Sequence, residues 1–158
     1  MILIDSNQAT MDPKLLSLIS EKTHVTVTHL NCGDVAFWGK ISNKKQMVGI
    51  EIKKGVDLIA SLKDGRLADQ LPRMLEYYDV PYLLIVDDRC SLDPQTGNIC
   101  ITGTARSSRL RYHFLNSLLA KFEMSGGLIR TVEDTHMAAA FIDSPRRYLA
   151  KDKHSEAI

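Results

Sequence analysis

The chain has 158 residues, of which 44% are apolar and 25% charged, with a net charge of +1. That size and composition suit one globular domain with a real core and exclude disorder, while the near-neutral balance excludes a generally basic nucleic-acid coat and leaves any DNA contact to local patches. No apolar run approaches the roughly 20 residues a bilayer requires, and Cys32, Cys90 and Cys100 lack metal-ligand spacing and read as reduced thiols.

The opening MILIDSNQ has no basic patch before its apolar run and meets an acid at Asp5. It is not a secretion signal, so a cytoplasmic location, or more broadly the cell interior including the nucleus, is expected. MILID (1–5) reads as a buried strand. Asp12 and Pro13 open a short helix over 12–19, as an N-cap and a first-turn proline do. HVTVTHL (24–30) alternates like a strand, NCGD (31–34) is a turn, and VAFWG (35–39) is a second strand. SNKK (42–45) turns the chain into a strand over 47–53. Beyond Gly55, residues 56–62 form a short helix, and residues 66–78 form another that Pro72 kinks or breaks. PYLLIV (81–86) is a continuous buried strand. Residues 87–98 are turn-rich, 99–104 form a short edge strand, and a helix capped by Ser107 or Ser108 runs to Met124. A last strand over 127–132 is followed by residues 133–142, which begin the last helix, and then by a basic, fraying tail. Strands alternating with helices predict an α/β domain.

The stretch MVGIEIK carries the chemistry. Alternation sends Val48, Ile50 and Ile52 to one face and Gly49, Glu51 and Lys53 to the other. Glu51 and Lys53 then lie roughly 6.5–7 Å apart along one face. A carboxylate there suits a hard divalent cation, and a neighbouring lysine suits a water or a phosphoryl oxygen. A second carboxylate is needed, and a hairpin would return Asp34 to the side of Glu51. E-x-K alone is also common in solvated strands, and Gly-Asp is an ordinary turn, so these residues leave both readings open.

The run from Gly33-Asp34 through Val48-Gly49-Ile50-Glu51-Ile52-Lys53-Lys54-Gly55-Val56-Asp57 to Asp64-Gly65-Arg66-Leu67 and Gln70 closely resembles the nuclease domain of the XPF family of structure-specific endonucleases. That family carries GD, then E-R-K-x-x-x-D, then S-x-x-D-G-R-L-x-x-Q. The resemblance is strong over 33–70, looser around 77–87 and 127–142, and absent around 88–104. It implies a restriction-endonuclease-like fold of the PD-(D/E)XK group, a central mixed β-sheet flanked by helices, with a nuclease domain over 1–150 and a basic tail over 151–158. It also implies a Mg²⁺- or Mn²⁺-dependent endonuclease acting on branched, flap or junction DNA. Asp34, Glu51 and the Ile52 carbonyl would hold the metal, Lys53 would position the attacking water, and Asp5 would join as an outer ligand. Asp57 either complements the dipole of its helix or works on the metal directly. Arg66 would grip a phosphate or hold a carboxylate by a bidentate pair, and Gln70 lies one turn further on. Two departures stand out: Ile52 replaces the family's arginine, and Gln8 stands where a glutamate is usual in a D-x-R-E pattern. The second departure supports an alternative, a catalytically inactive DNA-binding or scaffold subunit of the same fold.

For DNA contacts the basic residues fall into groups: Lys40, Lys44 and Lys45; Arg106, Arg109 and Arg111; and Arg146, Arg147, Lys151 and Lys153. Lys54 follows the site itself. TGTARSSR at an expected helix start offers N–H groups and hydroxyls to a phosphate. Phe37 and Trp38 are read as core or dimer contacts, with base stacking as the alternative. XPF-like enzymes commonly append a tandem helix-hairpin-helix module; the resemblance implies either that this module is absent here or that a separate DNA-binding partner supplies it, and it implies a homodimer.

Overall fold

The computed structural model describes residues 1–104 and 107–151. Strand β1 (Ile2–Asp5) ends in an acid that caps the first helix: Asp5 accepts the Asn7 N–H at 2.9 Å and opens α1 (Ser6–Met11). Helix α1 buries none of its residues, so it carries no apolar period and the sequence does not announce it. Helix α2 (Pro13–Ser20) begins as expected, with Pro13 first and the Asp12 carboxylate accepting the Leu15 N–H at 3.0 Å. Strands β2 (Val25–Thr28), β3 (Val35–Ile41) and β4 (Lys44–Lys54) come next, then α3 (Gly55–Lys63), α4 (Arg66–Tyr77) and β5 (Val80–Val86). The chain continues through β6 (Cys90–Leu92), β7 (Asn98–Ile101), β8 (Ser107–Arg111), α5 (Tyr112–Met124), β9 (Leu128–Val132) and α6 (Thr135–Leu149).

Six strands form the main sheet in the order β2-β1-β3-β4-β5-β9. β3 lies antiparallel to β1 and β4, whereas the β1–β2, β4–β5 and β5–β9 pairs are parallel. The sheet is therefore mixed, with helices on both faces, as the resemblance implied. One face packs Ile50, Ile52, Leu84 and Val86 against Leu15 and Ile19 of α2 and Ala138, Ala139 and Ile142 of α6. The other packs Ala36, Leu83 and Ile85 against Leu58 and Leu62 of α3, Leu67, Leu71 and Met74 of α4, and Leu115 and Phe122 of α5. The alternation read in β4 holds: Val48, Ile50 and Ile52 join the first layer, and Gly49, Glu51 and Lys53 face the second. Because both faces are covered, this strand is buried from Val48 to Lys53.

Three expectations are corrected. Residues 107–111 are not the start of a helix: SSRLR alternates exposed and half-buried as strand β8, and α5 begins only at Tyr112. Ser107 and Ser108 look like caps, but a period of two governs here. Residues 98–101 form the middle strand, not an edge, of a second sheet ordered β6-β7-β8. Residues 143–149, expected as part of the fraying tail, continue the last helix through Pro145 to Leu149. Its last turns are held by Asp143, which accepts hydrogen bonds from Arg146 at 2.6 Å and from Arg147, and Leu149 seats against Gly39. Helix α4 is likewise continuous across Pro72. Apart from Lys151, the basic tail lies outside the described residues.

Gly49 is the tightest point of β4. A Cβ there would fall 2.2 Å from the Tyr78 ring, whose hydroxyl donates to the Cys32 carbonyl. Gly49→Ala must displace that ring and lose its bond, and is expected to lower unfolding free energy by about 1–3 kcal/mol, read as a reduced urea midpoint.

Candidate active site

The site grows from a gap in the sheet. β3 pairs with β4 from Ile41↔Lys44 only as far as Val35↔Ile50. The next bond is Asp34 N–H to the Ile50 carbonyl at 2.9 Å, after which the chain turns away through Gly33 at φ +76°. The Asp34 side chain takes over the ladder: its Oδ2 accepts the Ile52 N–H at 2.7 Å. The hairpin thus carries Asp34 back beside Glu51, as its spacing predicts. In a strand, N–H and C=O of one residue leave by the same edge, so the Ile52 carbonyl faces the side that Asp34 occupies. The glycine at 33 tolerates the left-handed turn that points this acid inward.

Glu51 and Lys53 sit on the opposite face from Ile52 and are 3% and 4% exposed. Lys53 Nζ donates to Glu51 Oε1 at 2.6 Å and lies 3.8 Å from Asp57 Oδ2 in the first turn of α3. Asp57 also meets Arg66 Nη2 at 3.5 Å, and Arg66 Nε donates to Asp64 Oδ2 at 2.7 Å. Arg66 therefore holds carboxylates, and its guanidinium draws Asp64 below the usual carboxylate range. A continuous chain of alternating charge runs outward from buried Glu51 to the surface at Arg66. This chain is closed on its cationic side and leaves Asp34 outside it. Burial, then the Glu51 charge, pushes the Asp34 carboxyl up to about 7, against the pull of the Ile52 N–H and Lys53.

That shift has a sign. A carboxyl raised from near 4 to about 7 costs stability once the folded chain must ionise it. The penalty is absent below pH 4, where both folded and unfolded chains are protonated, and complete above pH 7. In chelator, Asp34→Asn is expected to stabilise the fold at pH 8 by on the order of 2–4 kcal/mol. The gain should fade as pH falls from 7 to 4, checked by denaturant melts across that range.

Of the other expected residues, Asp5 is 6% exposed and committed to structure, accepting N–H bonds from Leu30 at 2.9 Å and from Asn7. Burial alone would raise its carboxyl, but the backbone N–H groups of Leu30, Asn7 and Gln8 outweigh it and hold the carboxyl low. Lys54 is exposed and pairs with Asp12 at 3.0 Å. Gln8, Asp12, Lys54 and Asp57 line a cleft that opens beside Ile52. The sequence marks Asp12 only as a helix cap; its lateral contact with Lys54 depends on sheet order, which no local pattern reports. Gln70 sits half-buried on α4 with its Oε1 enclosed and unpartnered. Arg109 is exposed on β8, on the second sheet, and Arg106 lies outside the described residues. The helix start expected to hold a phosphate over 102–109 lies in part outside the described residues, and from Ser107 onward it is that strand.

The donor set suits a hard divalent ion: two carboxylates and one main-chain carbonyl, all oxygen. Among the described residues no group of three or more His, Cys, Asp or Glu converges to hold an ion through side chains alone, so the carbonyl and water must complete any coordination. The raised Asp34 carboxyl fits such a site, because two neighbouring carboxylates with one lysine bonded to only one of them gain most from an added positive charge.

Residues 4–125 match the family described as the ERCC4 domain. No curated protein matches the chain. Among solved structures, XPF from Aeropyrum pernix superposes with a TM-score of 0.65 at 22% identity, over 92% of this chain and 63% of that one. XPF from Aeropyrum pernix in complex with DNA gives 0.63 at 20% identity, over 96% of this chain and 68% of that one. The chain thus spans about 63% of the length of the first of these relatives. Among the described residues no helix is long and apolar enough to cross a membrane. The match over 4–125 takes in the whole Asp34–Glu51–Lys53 constellation and the strands β3 and β4 that position it: this chain belongs to the ERCC4-domain family and has the restriction-endonuclease-like fold of an XPF nuclease domain.

Proposed function

We propose that the chain is a Mg²⁺- or Mn²⁺-dependent DNA endonuclease that hydrolyses phosphodiester bonds, with a preference for branched, flap or junction DNA. The observation that carries this reading is the placement of Asp34 on the Ile52 N–H at 2.7 Å beside the buried Glu51–Lys53 pair. Asp34, Glu51 and the Ile52 carbonyl would hold the ion, which when bound supplies polarisation of the phosphate and a more acidic water. Lys53 orients the attacking water and lends its charge to a phosphoryl oxygen. Asp57 lies 3.8 Å from Lys53 Nζ and keeps the ammonium over the site when Glu51 is engaged elsewhere. Arg66, half-exposed at the outer end of the charge chain, meets the phosphate backbone, and Gln70 supports it from the next turn. The reading includes a homodimer formed through this domain, which sedimentation of the purified chain checks.

A second reading has its own support. Glu51 and Lys53 are closed against one another and nearly inaccessible, and Gln8 adds no charge where the family usually has an acid. A catalytically inactive DNA-binding or scaffold subunit would show both features. One assay separates the two: purified chain with labelled linear, flap and junction DNAs in Mg²⁺, Mn²⁺ or chelator. Cuts in the metal lanes alone, strongest on branched substrates, support the endonuclease. Retained DNA binding with no cut in either metal supports the scaffold.

A further inference from the structure

Trp38 is the chain's sole tryptophan. It stands 50% exposed in the middle of β3, whereas Phe37 beside it is 1% exposed. The expectation that both are core or dimer-contact residues therefore divides: Phe37 is core, and Trp38 is not, its ring half-exposed beside Lys45. Alternation and register place its neighbours. Trp38 and Lys40 share one face of β3, and the pairs Trp38↔Met47 and Lys40↔Lys45 bring Lys45 to that face. Lys45 Nζ lies 4.5 Å from the Trp38 ring centroid. Lys44 pairs with Ile41 and so leaves by the opposite face, but it stands at the very tip, directly after a tight two-residue turn, Ser42-Asn43, with φ of 49° and 62°. Among the described residues no carboxylate pairs with Lys44 or Lys45. A groove runs from Trp38 and Lys45 to Leu149 and Ala150 at the end of α6.

We infer that this hairpin tip is a binding site for single-stranded nucleic acid, with one unpaired base on the Trp38 ring, one flanking phosphate on Lys45 of the same face, and the next phosphate, where the strand rounds the turn, on Lys44. Charge selects the occupant. A second copy of the chain docked face to face would set lysine against lysine, and a purely apolar partner would leave two ammonium groups unmatched. A nucleotide strand satisfies both features at once: a flat π-face for the indole and an anion within reach on either side. Duplex is disfavoured, since its base faces are already stacked on one another. Lys45 precedes Glu51 by six residues on the same strand face, roughly 20 Å, so the site is separate from the carboxylates and does not depend on the endonuclease reading.

The single tryptophan reports occupancy directly. The full chain in chelator is titrated with an oligothymidylate of about 15 nucleotides while its emission is followed. The emission should be quenched, and log K should fall with log salt with a slope of roughly −1.4, for two phosphates at about 0.7 each. Lys44→Glu with Lys45→Glu should weaken binding about tenfold or more, as should Trp38→Ala read by anisotropy of a labelled strand. All these side chains are solvent-facing, and circular dichroism confirms the variants fold. Unchanged emission at low salt, equal affinity of Trp38→Ala, or equal quenching by blunt duplex each overturns the assignment. So does an emission change that tracks protein concentration alone alongside a sedimenting dimer, which would make the face a protein contact. No cleavage is read, so an inactive chain leaves this result standing.

Discussion

Glu51→Gln is expected to reduce cleavage by roughly 10²–10⁴-fold or more, leaving DNA binding and the fold in place. The substitution keeps the side-chain volume and one acceptor oxygen for Lys53 Nζ, now 2.6 Å from Oε1. What it removes is a formal charge at the centre of the site. That one loss has two effects, and they are measured separately. The rate falls because the oxygen donor set drops to a single carboxylate, Asp34, with the Ile52 carbonyl. Independently, Asp34 loses the neighbour that helps to push it up to about 7, so its carboxyl should titrate nearer to the usual range even in chelator. A carboxyl resonance of Asp34 monitored by NMR against pH reports the second effect. Cleavage at the unmodified rate with normal folding would place the chemistry elsewhere in the chain. Unmoved Asp34 titration would mean that burial alone sets its affinity for protons.

Much of this site was legible because β4 speaks in a period of two. Val48, Ile50 and Ile52 announce one buried layer, and the acid and lysine between them have to go somewhere that rewards charge. The return of Asp34 was legible from a turn between two strand-like runs. Other features depend on neighbours that the sequence does not name. Helix α1 hangs on the Asp5 cap and buries nothing, so its six residues carry no pattern to find. Strand β8 shows alternation over only five residues and opens with two serines that also suit a cap. Helix α6 passes Pro145 because Asp143 collects Arg146 and Arg147 around the weakened turn, a local network that outweighs proline's usual effect. Trp38 departs from the core half of its expectation. A tryptophan in mid-strand is normally covered, yet beyond Ala36 the strand outruns β1, and Trp38 points to the face opposite Gly39, which packs on Leu149 of α6, so its ring stays half in water.

Lys53→Met should destabilise the metal-free chain by about 3–5 kcal/mol and abolish cleavage as fully as the change at Glu51. Lys53 is 4% exposed and its Nζ bonds Glu51 at 2.6 Å; without it, Glu51 is a buried carboxylate with no cation bonded to it and with the Asp34 carboxyl nearby. The stem volume is kept by methionine, so the loss is electrostatic and not a cavity. Divalent metal should then act more strongly on the variant than on the unmodified chain. In the latter, an ion must compete with the ammonium for Glu51 Oε1. In the variant that oxygen is free, and the ion relieves the whole of the carboxylate repulsion. Stabilisation by a ligand grows as RT ln(1 + [L]/Kd), so the rise in melting temperature with Mn²⁺ should be larger for Lys53→Met at every concentration. The double variant Glu51→Gln/Lys53→Met closes the cycle: it should be more stable in chelator than Lys53→Met alone, yet gain less from Mn²⁺. If Lys53→Met melts like the unmodified chain in chelator and responds no better to metal, the ammonium does not stand in for the ion at Glu51. The closed Glu51–Lys53 pair would then be structural, and the scaffold reading would take precedence.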